Sequence, residues 1–399
     1  GDLPDFLSTL DEQIHSGGAI SESELPFCGG WFVYLGYELA SQIEPTLSLP
    51  PSEDNLPMAF AARCGSAVIH DHWTGAVYLV SETDLLHQAA KVEIGLTSAE
   101  QASGAGLGSG SSNDVVGIHW TVEVDPPSEF EAGVRSILEY IKAGDVFQVN
   151  LSRGWRAVSH DSVHPLSIFR ALCHSNPAPF AGFAFLPGGC IVSSSPERLV
   201  ERRGAMAQTR PIAGTRPRGH DAASDARLIE DLGGNLKERA EHIMLIDLER
   251  NDLGRVCKPG SVHVDELMVI ESYEHVHHIV SNVRGTLEDG ATSGDLIRAV
   301  FPGGTITGCP KVRCMEIISE LEGVGRSFYT GAMGYIGHHG NMDLNILIRS
   351  VLVHGNQIEF RTGAGIVADS EPSAERKDTE FKALGFLNAL GVSWEITDV

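Results

Sequence analysis

Two periods of apolar residues alternate along the chain beyond about residue 120. Phe130, Val134, Ile137, Leu138 and Ile141 recur at helical spacing, Ser128 and Glu131 read as a capping box that opens the helix, and Gly144 stops it. A strand period follows at once over residues 146–153. There Phe147, Val149 and Leu151 point one way and set Gln148, Asn150 and Ser152 together on the opposite face. Residues 235–251 form a long helical segment with apolar Ile243, Met244, Ile246 and Leu248, and Glu238 and Glu241 stand one turn apart near its start. Residues 274–284, 332–336, 344–353 and 358–367 read as strands, the last three close enough in sequence for an antiparallel meander. Helices over 310–322 and 372–390 each carry Pro near the first turn, where its missing N–H costs nothing.

Before residue 102 the pattern is different, with strand-like runs over 31–37, 67–69 and 76–80 punctuated by Gly and Pro. Eight of the twelve residues 102–113 are Gly or Ser, the composition of a flexible loop or linker. The expected organisation is therefore an N-terminal region over 1–113 and a larger unit over 120–392. Strands interspersed with helices, with hairpin-length loops such as 338–341, predict an α+β fold of antiparallel-rich sheets wrapped by helices.

Composition narrows the function. Across 399 residues, 53 acidic side chains outnumber 29 basic ones, and a net charge of −24 repels a phosphate backbone, so nucleic acid is not an expected partner. Seven scattered cysteines without a Cys-x-x-Cys pair suggest reduced thiols rather than a zinc or disulfide framework. No apolar run approaches the ~20 residues that cross a bilayer. These features together point to a cytoplasmic enzyme with no membrane partner, and the missing initiator Met suggests a trimmed start.

Several residue types could carry chemistry. On the last helix Glu375, Asp378 and Lys382 fall at i, i+3 and i+7 on one face, and with Glu241 they offer oxygen donors of the kind that hold a hard cation such as Mg²⁺. Spacing alone is equally compatible with solvated carboxylates. Gly363, Ala364 and Gly365 end a strand and let backbone N–H groups approach an anion. Arg349, ending the neighbouring strand, could grip a carboxylate, and Lys311 opens a helix whose dipole favours negative charge. Residues 303–311 lack the spacing of a phosphate loop. His278 lies on the inward face of its strand, a place more often filled by a core histidine than by a catalyst. Glu197, at a strand end, becomes a general acid if burial raises its pKa.

The same stretches resemble the chorismate-using enzymes, among them anthranilate synthase component I, aminodeoxychorismate synthase component I, isochorismate synthase and salicylate synthase. The matching blocks are F-Q-V-N-L-S-R at 147–153, S-S-S-P-E-R at 193–198, P-I-A-G-T-R-P-R-G at 211–219, K-E-R-A-E-H-I-M-L-I-D-L-E-R-N-D-L-G at 237–254, H-V-H-H-I-V-S at 275–281, F-P-G-G-T-I-T-G-C-P-K-V-R at 301–313, G-N-M-D-L-N-I-L-I-R at 340–349 and G-A-G-I-V-A-D-S at 363–370. The resemblance implies one Mg²⁺ and chorismate bound between two sheets, with Glu241, Glu375 and Asp378 as metal carboxylates; relatives usually have Glu where Asp378 stands. It implies that Tyr329, Arg349 and the backbone of Gly363, Ala364 and Gly365 hold the enolpyruvyl carboxylate, and that Gly214 and Thr305 address the ring carboxylate. Glu197 matches the acid that protonates the departing hydroxyl, while His278 and Lys311 match further active-site positions. This requires Glu241, Glu375 and Asp378 to converge near Arg349.

Water-using relatives have a Lys base where this chain has Gln148, so the resemblance points to ammonia as nucleophile. No Gly-x-Cys-x-Gly segment is present, and the ammonia would come from a separate glutamine amidotransferase subunit. Ala213, in P-I-A-G-T, removes the lysine that forms a covalent adduct in many aminodeoxychorismate synthases; a subclass of these, and the anthranilate synthases, share the alanine. The block G-G-W-F-V-Y-L-G-Y-E-L-A at 29–40 looks more like that subclass. The expected activity is conversion of chorismate and ammonia to 4-amino-4-deoxychorismate for 4-aminobenzoate and folate, with anthranilate plus pyruvate as the alternative outcome.

Overall fold

The structure is a computed structural model that describes residues 5–15, 25–104, 115, 118–161 and 163–396. Among these residues, two large sheets dominate. One sets Ile212–Pro217, Val276–Thr286, Met206–Thr209, Arg198–Arg203, Met342–Ile346, Ala332–Gly337, Gly30–Leu35 and Ala59–Cys64 side by side, with His263–Ser272 also paired to Val276–Thr286. The other runs Gly308–Cys309, Gln148–Ser159, Gln357–Ile366, Ser350–His354, Gly189–Ser195, Phe180–Leu186, with Trp120–Val124 also paired to Gln148–Ser159. The described pairings of both sheets are antiparallel, as in Gly365↔Asn150 and Gly363↔Ser152, and helices pack on their faces. The architecture is the expected α+β.

Several elements differ from their sequence signatures. The helix of Phe130 and Val134 spans Pro127–Ala143 and ends, as expected, at Gly144 with φ 82°. Its start is set by Pro at the first turn rather than by a capping box, because Glu131 reaches sideways to Arg135 and Arg376. The helix Leu236–Gly254 is capped by the Asn235 side chain, which accepts from the N–H groups of Lys237 and Glu238, and its Ile243 faces solvent. The strand expected over 344–353 is two strands in different sheets, Met342–Ile346 and Ser350–His354. Between them Arg349 adopts φ 49°, a left-handed conformation that ends the extended run between the two sheets. The expected meander is consequently two hairpins, one in each sheet.

The N-terminal region is no separate body. Gly30–Leu35 pairs with Ala332–Gly337, and Leu7, Leu10 and Ile14 of the helix Phe6–His15 share one buried core with Val33, Leu35, Leu344 and Ile346. The Gly/Ser-rich stretch begins inside the end of the helix Leu86–Gly104, and residues 105–113 of it lie outside the described residues. All seven cysteines are free thiols, and among the described residues no helix is long and apolar enough to cross a membrane.

Candidate active site

Twice, side by side, the chain passes from one sheet to the other, and each crossing leaves a functional side chain between them. Gly189–Ser195 belongs to the smaller sheet and Arg198–Arg203 to the larger, so Pro196 and Glu197 form the first crossing. Met342–Ile346 and Ser350–His354 make the second, with Arg349 within it. The two are stitched together: Ile346 N–H donates to the Glu197 carbonyl at 3.0 Å and Ser194 N–H to the Arg349 carbonyl at 2.9 Å. Ser195 Oγ adds a bond to the Ile346 carbonyl at 2.6 Å. A strand that must bend out of one sheet satisfies its backbone here on its neighbour.

Glu197 is only 6 % exposed, and burial pushes its carboxyl up to about 7. The Ile212 N–H and the Thr305 side chain favour the ionised form but do not outweigh burial; the Thr305 hydroxyl completes no hydrogen bond. A carboxyl that keeps its proton near neutrality can donate it. Behind it lies Glu249, a second buried acid that the sequence reading missed, raised by burial and then by the Asp252 carboxylate. Helical spacing could have found it, since Glu249 follows Ile246, Leu245 and His242 on the inward face of Leu236–Gly254.

Lys311 does not reach this crevice as a free cation. Its Nζ donates to Asp252 Oδ2 at 2.5 Å and to the Val300 carbonyl at 3.2 Å, so the charge is spent on a buried ion pair.

The polar face of Gln148–Ser159 forms one wall. Gln148 Nε2 donates to Glu241 Oε1 at 2.8 Å, while Ser152 donates from both N–H and Oγ to Glu322 Oε1. The neighbouring strand carries the Gly363, Ala364 and Gly365 run, with Ala364 fully buried. A Cβ on Gly363 would stand 2.6 Å from Tyr329 Oη and 2.7 Å from Asn150 Oδ1, and one on Gly365 would collide with Gln148 Nε2. Only glycine leaves these groups room. Tyr329 is held by a turn whose Arg326 and Ser327 N–H groups donate to Glu38, at 2.7 and 3.1 Å. The N-terminal region thereby positions an expected substrate contact. Among the described residues the Arg349 guanidinium engages no carboxylate within ion-pair distance; Asp378 and Tyr329 are its nearest electrostatic partners.

On the third side, Ala213 is buried opposite Ile279, and a bulge at Gly214, φ 78°, separates it from Thr215, which pairs with His278. Thr215 Oγ1 lies 3.0 Å from His278 Nδ1. Burial, joined by the Arg349 charge, holds His278 below the usual imidazole range. Ala213 brings no amine to this wall.

The three carboxylates expected to bind a metal do not converge in this state: among the described residues no group of three His, Cys, Asp or Glu side chains is set to hold an ion. Glu241 is engaged by Gln148, and Asp378 by Lys382 Nζ at 2.7 Å, which also donates to the Gly363 carbonyl at 2.9 Å. Glu375 lies half-buried one turn before Asp378. The donor chemistry nevertheless suits a hard cation. Burial raises Glu241, the nearby Glu238 raises it further, and Glu238 Oε2 is buried without a partner although its other oxygen holds Arg216 at 2.7 Å. Glu238 therefore joins Glu241, Glu375 and Asp378 as a candidate ligand.

A buried acid, a guanidinium at a sheet crossing, a glycine-lined strand and oxygen donors on two helices are the chemical groups this part of the fold offers. The chain belongs to the chorismate binding enzymes, whose family model matches residues 4–388. It is 47% identical over 369 residues to the anthranilate synthase component I-like protein of Synechocystis, covering 92% of this chain and 73% of that one. It is 42% identical over 375 residues to aminodeoxychorismate synthase component 1 of Bacillus subtilis, covering 94% and 79%. The crystal structure of anthranilate synthase component I from Streptococcus pneumoniae superposes with a TM-score of 0.82 at 31% identity, over 95% of this chain and 85% of that one.

Proposed function

We propose that the chain aminates chorismate at the expense of its C4 hydroxyl and yields 4-amino-4-deoxychorismate. The observation that carries the reading is Glu197, a buried acid whose carboxyl is pushed up to about 7, on the sheet crossing adjacent to that of Arg349, taken with the neutral amide of Gln148 where water-using relatives have a base. Arg349, Tyr329 and the Gly363–Gly365 backbone hold the enolpyruvyl carboxylate; Gly214 and Thr305 address the ring carboxylate. A divalent cation such as Mg²⁺, held by Glu241, Glu375 and Asp378 with Glu238, would withdraw electrons through that carboxylate. Glu197 gives its proton to the leaving C4 hydroxyl, which departs as water, while ammonia forms a bond at C2 and then loses a proton. A second ammonia bonds at C4 and the C2 amine leaves as ammonia. His278, held below the usual imidazole range by burial, acts as a hydrogen-bonding wall rather than a second cation. Ala213 carries no amine, so the path needs no covalent lysine adduct. The ammonia comes from a separate glutamine amidotransferase subunit.

A second reading, anthranilate formation, draws support from the 47% identical relative and from Ala213. Mass spectrometry of products from chorismate, Mg²⁺ and ammonium chloride separates the two. An aminodeoxychorismate ion is expected; anthranilate with pyruvate overturns the first reading.

A further inference from the structure

Three polar side chains share the crevice-facing side of Gln148–Ser159, and the outer two are fixed. Gln148 holds Glu241; Ser152 donates to Glu322 Oε1 at 2.8 Å and accepts from Arg361 Nε at 3.0 Å. Asn150 stands between them. Its backbone is fully used, N–H donating to the Thr307 carbonyl at 2.9 Å and the carbonyl accepting from Arg326 Nη2 at 2.7 Å. Its side-chain Oδ1 is buried without a donor, and so is Oε1 of Gln148. Unmet buried acceptors of this kind cost about 1–3 kcal/mol each and are rare in native proteins. These two stand two residues apart on one strand face, beside the wall lined by Gly363 and Gly365.

The atom that would satisfy them must bring N–H or O–H donors into a place shielded from bulk water. Chorismate's carboxylates are acceptors and cannot, and its one hydroxyl, at C4, is the group that departs in the reaction. Ammonia can: it offers three N–H bonds and keeps a lone pair for attack. A carboxylate in the same place would favour ammonium, whose lone pair is already protonated, whereas an amide oxygen accepts an N–H and leaves the neutral form intact. We propose that Asn150 Oδ1, with Gln148 Oε1, is the acceptor pair that binds and orients the ammonia nucleophile. This rests on the amination reading above.

The test uses the full chain with chorismate, Mg²⁺ and ammonium chloride at fixed alkaline pH. Asn150→Ala and Asn150→Val, both compatible with a strand, are compared with wild type for KM of ammonia, KM of chorismate and product identity. The expected result is a KM for ammonia raised about tenfold or more in either folded variant, with KM for chorismate within about twofold and the product unchanged. An unaltered KM for ammonia, or a KM for chorismate that rises in step, overturns the subsite alone. A wild-type chain that consumes chorismate without ammonia overturns the amination reading and the subsite together.

Discussion

Replacing Glu197 with Gln should make the protein less active and, above neutrality, more stable. The carboxyl is raised from 4.5 to about 7, so the folded chain binds this proton more tightly than the unfolded one. Stability contributed by the group is complete below about pH 4.5 and is lost as pH climbs to about 7. At ~1.4 kcal/mol per unit the loss is about 3 kcal/mol, taken as an order of magnitude. The amide has nearly the same shape and no charge to desolvate, so the variant escapes this penalty. Chemical denaturation at pH 4 and pH 8 reads the effect: midpoints should coincide at pH 4 and separate in favour of the variant at pH 8. Turnover should fall by about 10²–10⁴, the usual contribution of a positioned general acid. Equal midpoint gains at both pH values, or a variant less stable at pH 8, would refute the burial account of Glu197. Turnover retained at wild-type level would refute its role as acid.

Three further outcomes follow from the same geometry. Gly365→Ala drives a Cβ into Gln148 Nε2, so a stability loss of about 1–3 kcal/mol from overpacking and a collapse of turnover are expected, read by thermal melts and steady-state rates. Lys311→Met leaves Asp252 buried without its cation; destabilisation of about 3–5 kcal/mol is expected, with the KM for chorismate of the surviving folded enzyme little changed, and a large rise in that KM would return Lys311 to the substrate site. Glu249→Gln relieves a carboxyl raised by burial and Asp252; its denaturation midpoint should match wild type near pH 4 and exceed it increasingly as pH rises beyond the ordinary carboxylate range.

Much of the scaffold was legible in the sequence because it rests on local periodicity. The helix Pro127–Ala143, the strand Gln357–Ile366 and the final helix Pro372–Ala389 agree closely with their apolar spacing. What periodicity does not encode is which sheet a strand joins. The run L-N-I-L-I-R-S-V-L-V is apolar at seven of its ten positions, and its division falls at Arg349, where the backbone turns left-handed, a tertiary constraint that apolar spacing does not encode. The site was legible mainly through resemblance: it pointed to Glu197, Arg349, Tyr329 and the glycine wall, which the fold gathers. Residue type did not reveal that Lys311 pairs with Asp252, a partner 59 positions away. It named Asn150 and Glu238 without giving either a role and passed over Glu249, because a missing hydrogen-bond partner or a buried carboxylate is visible only once the surrounding elements are in place.

The paired passages between the sheets bear on how such a crevice can breathe. Because the acid and the guanidinium ride on adjacent connectors bonded backbone to backbone, any hinge-like opening of one sheet against the other must carry both along together. The mouth can widen to admit a substrate or release a product while the spacing between proton donor and anion anchor is preserved, so alignment need not be rebuilt at every turnover.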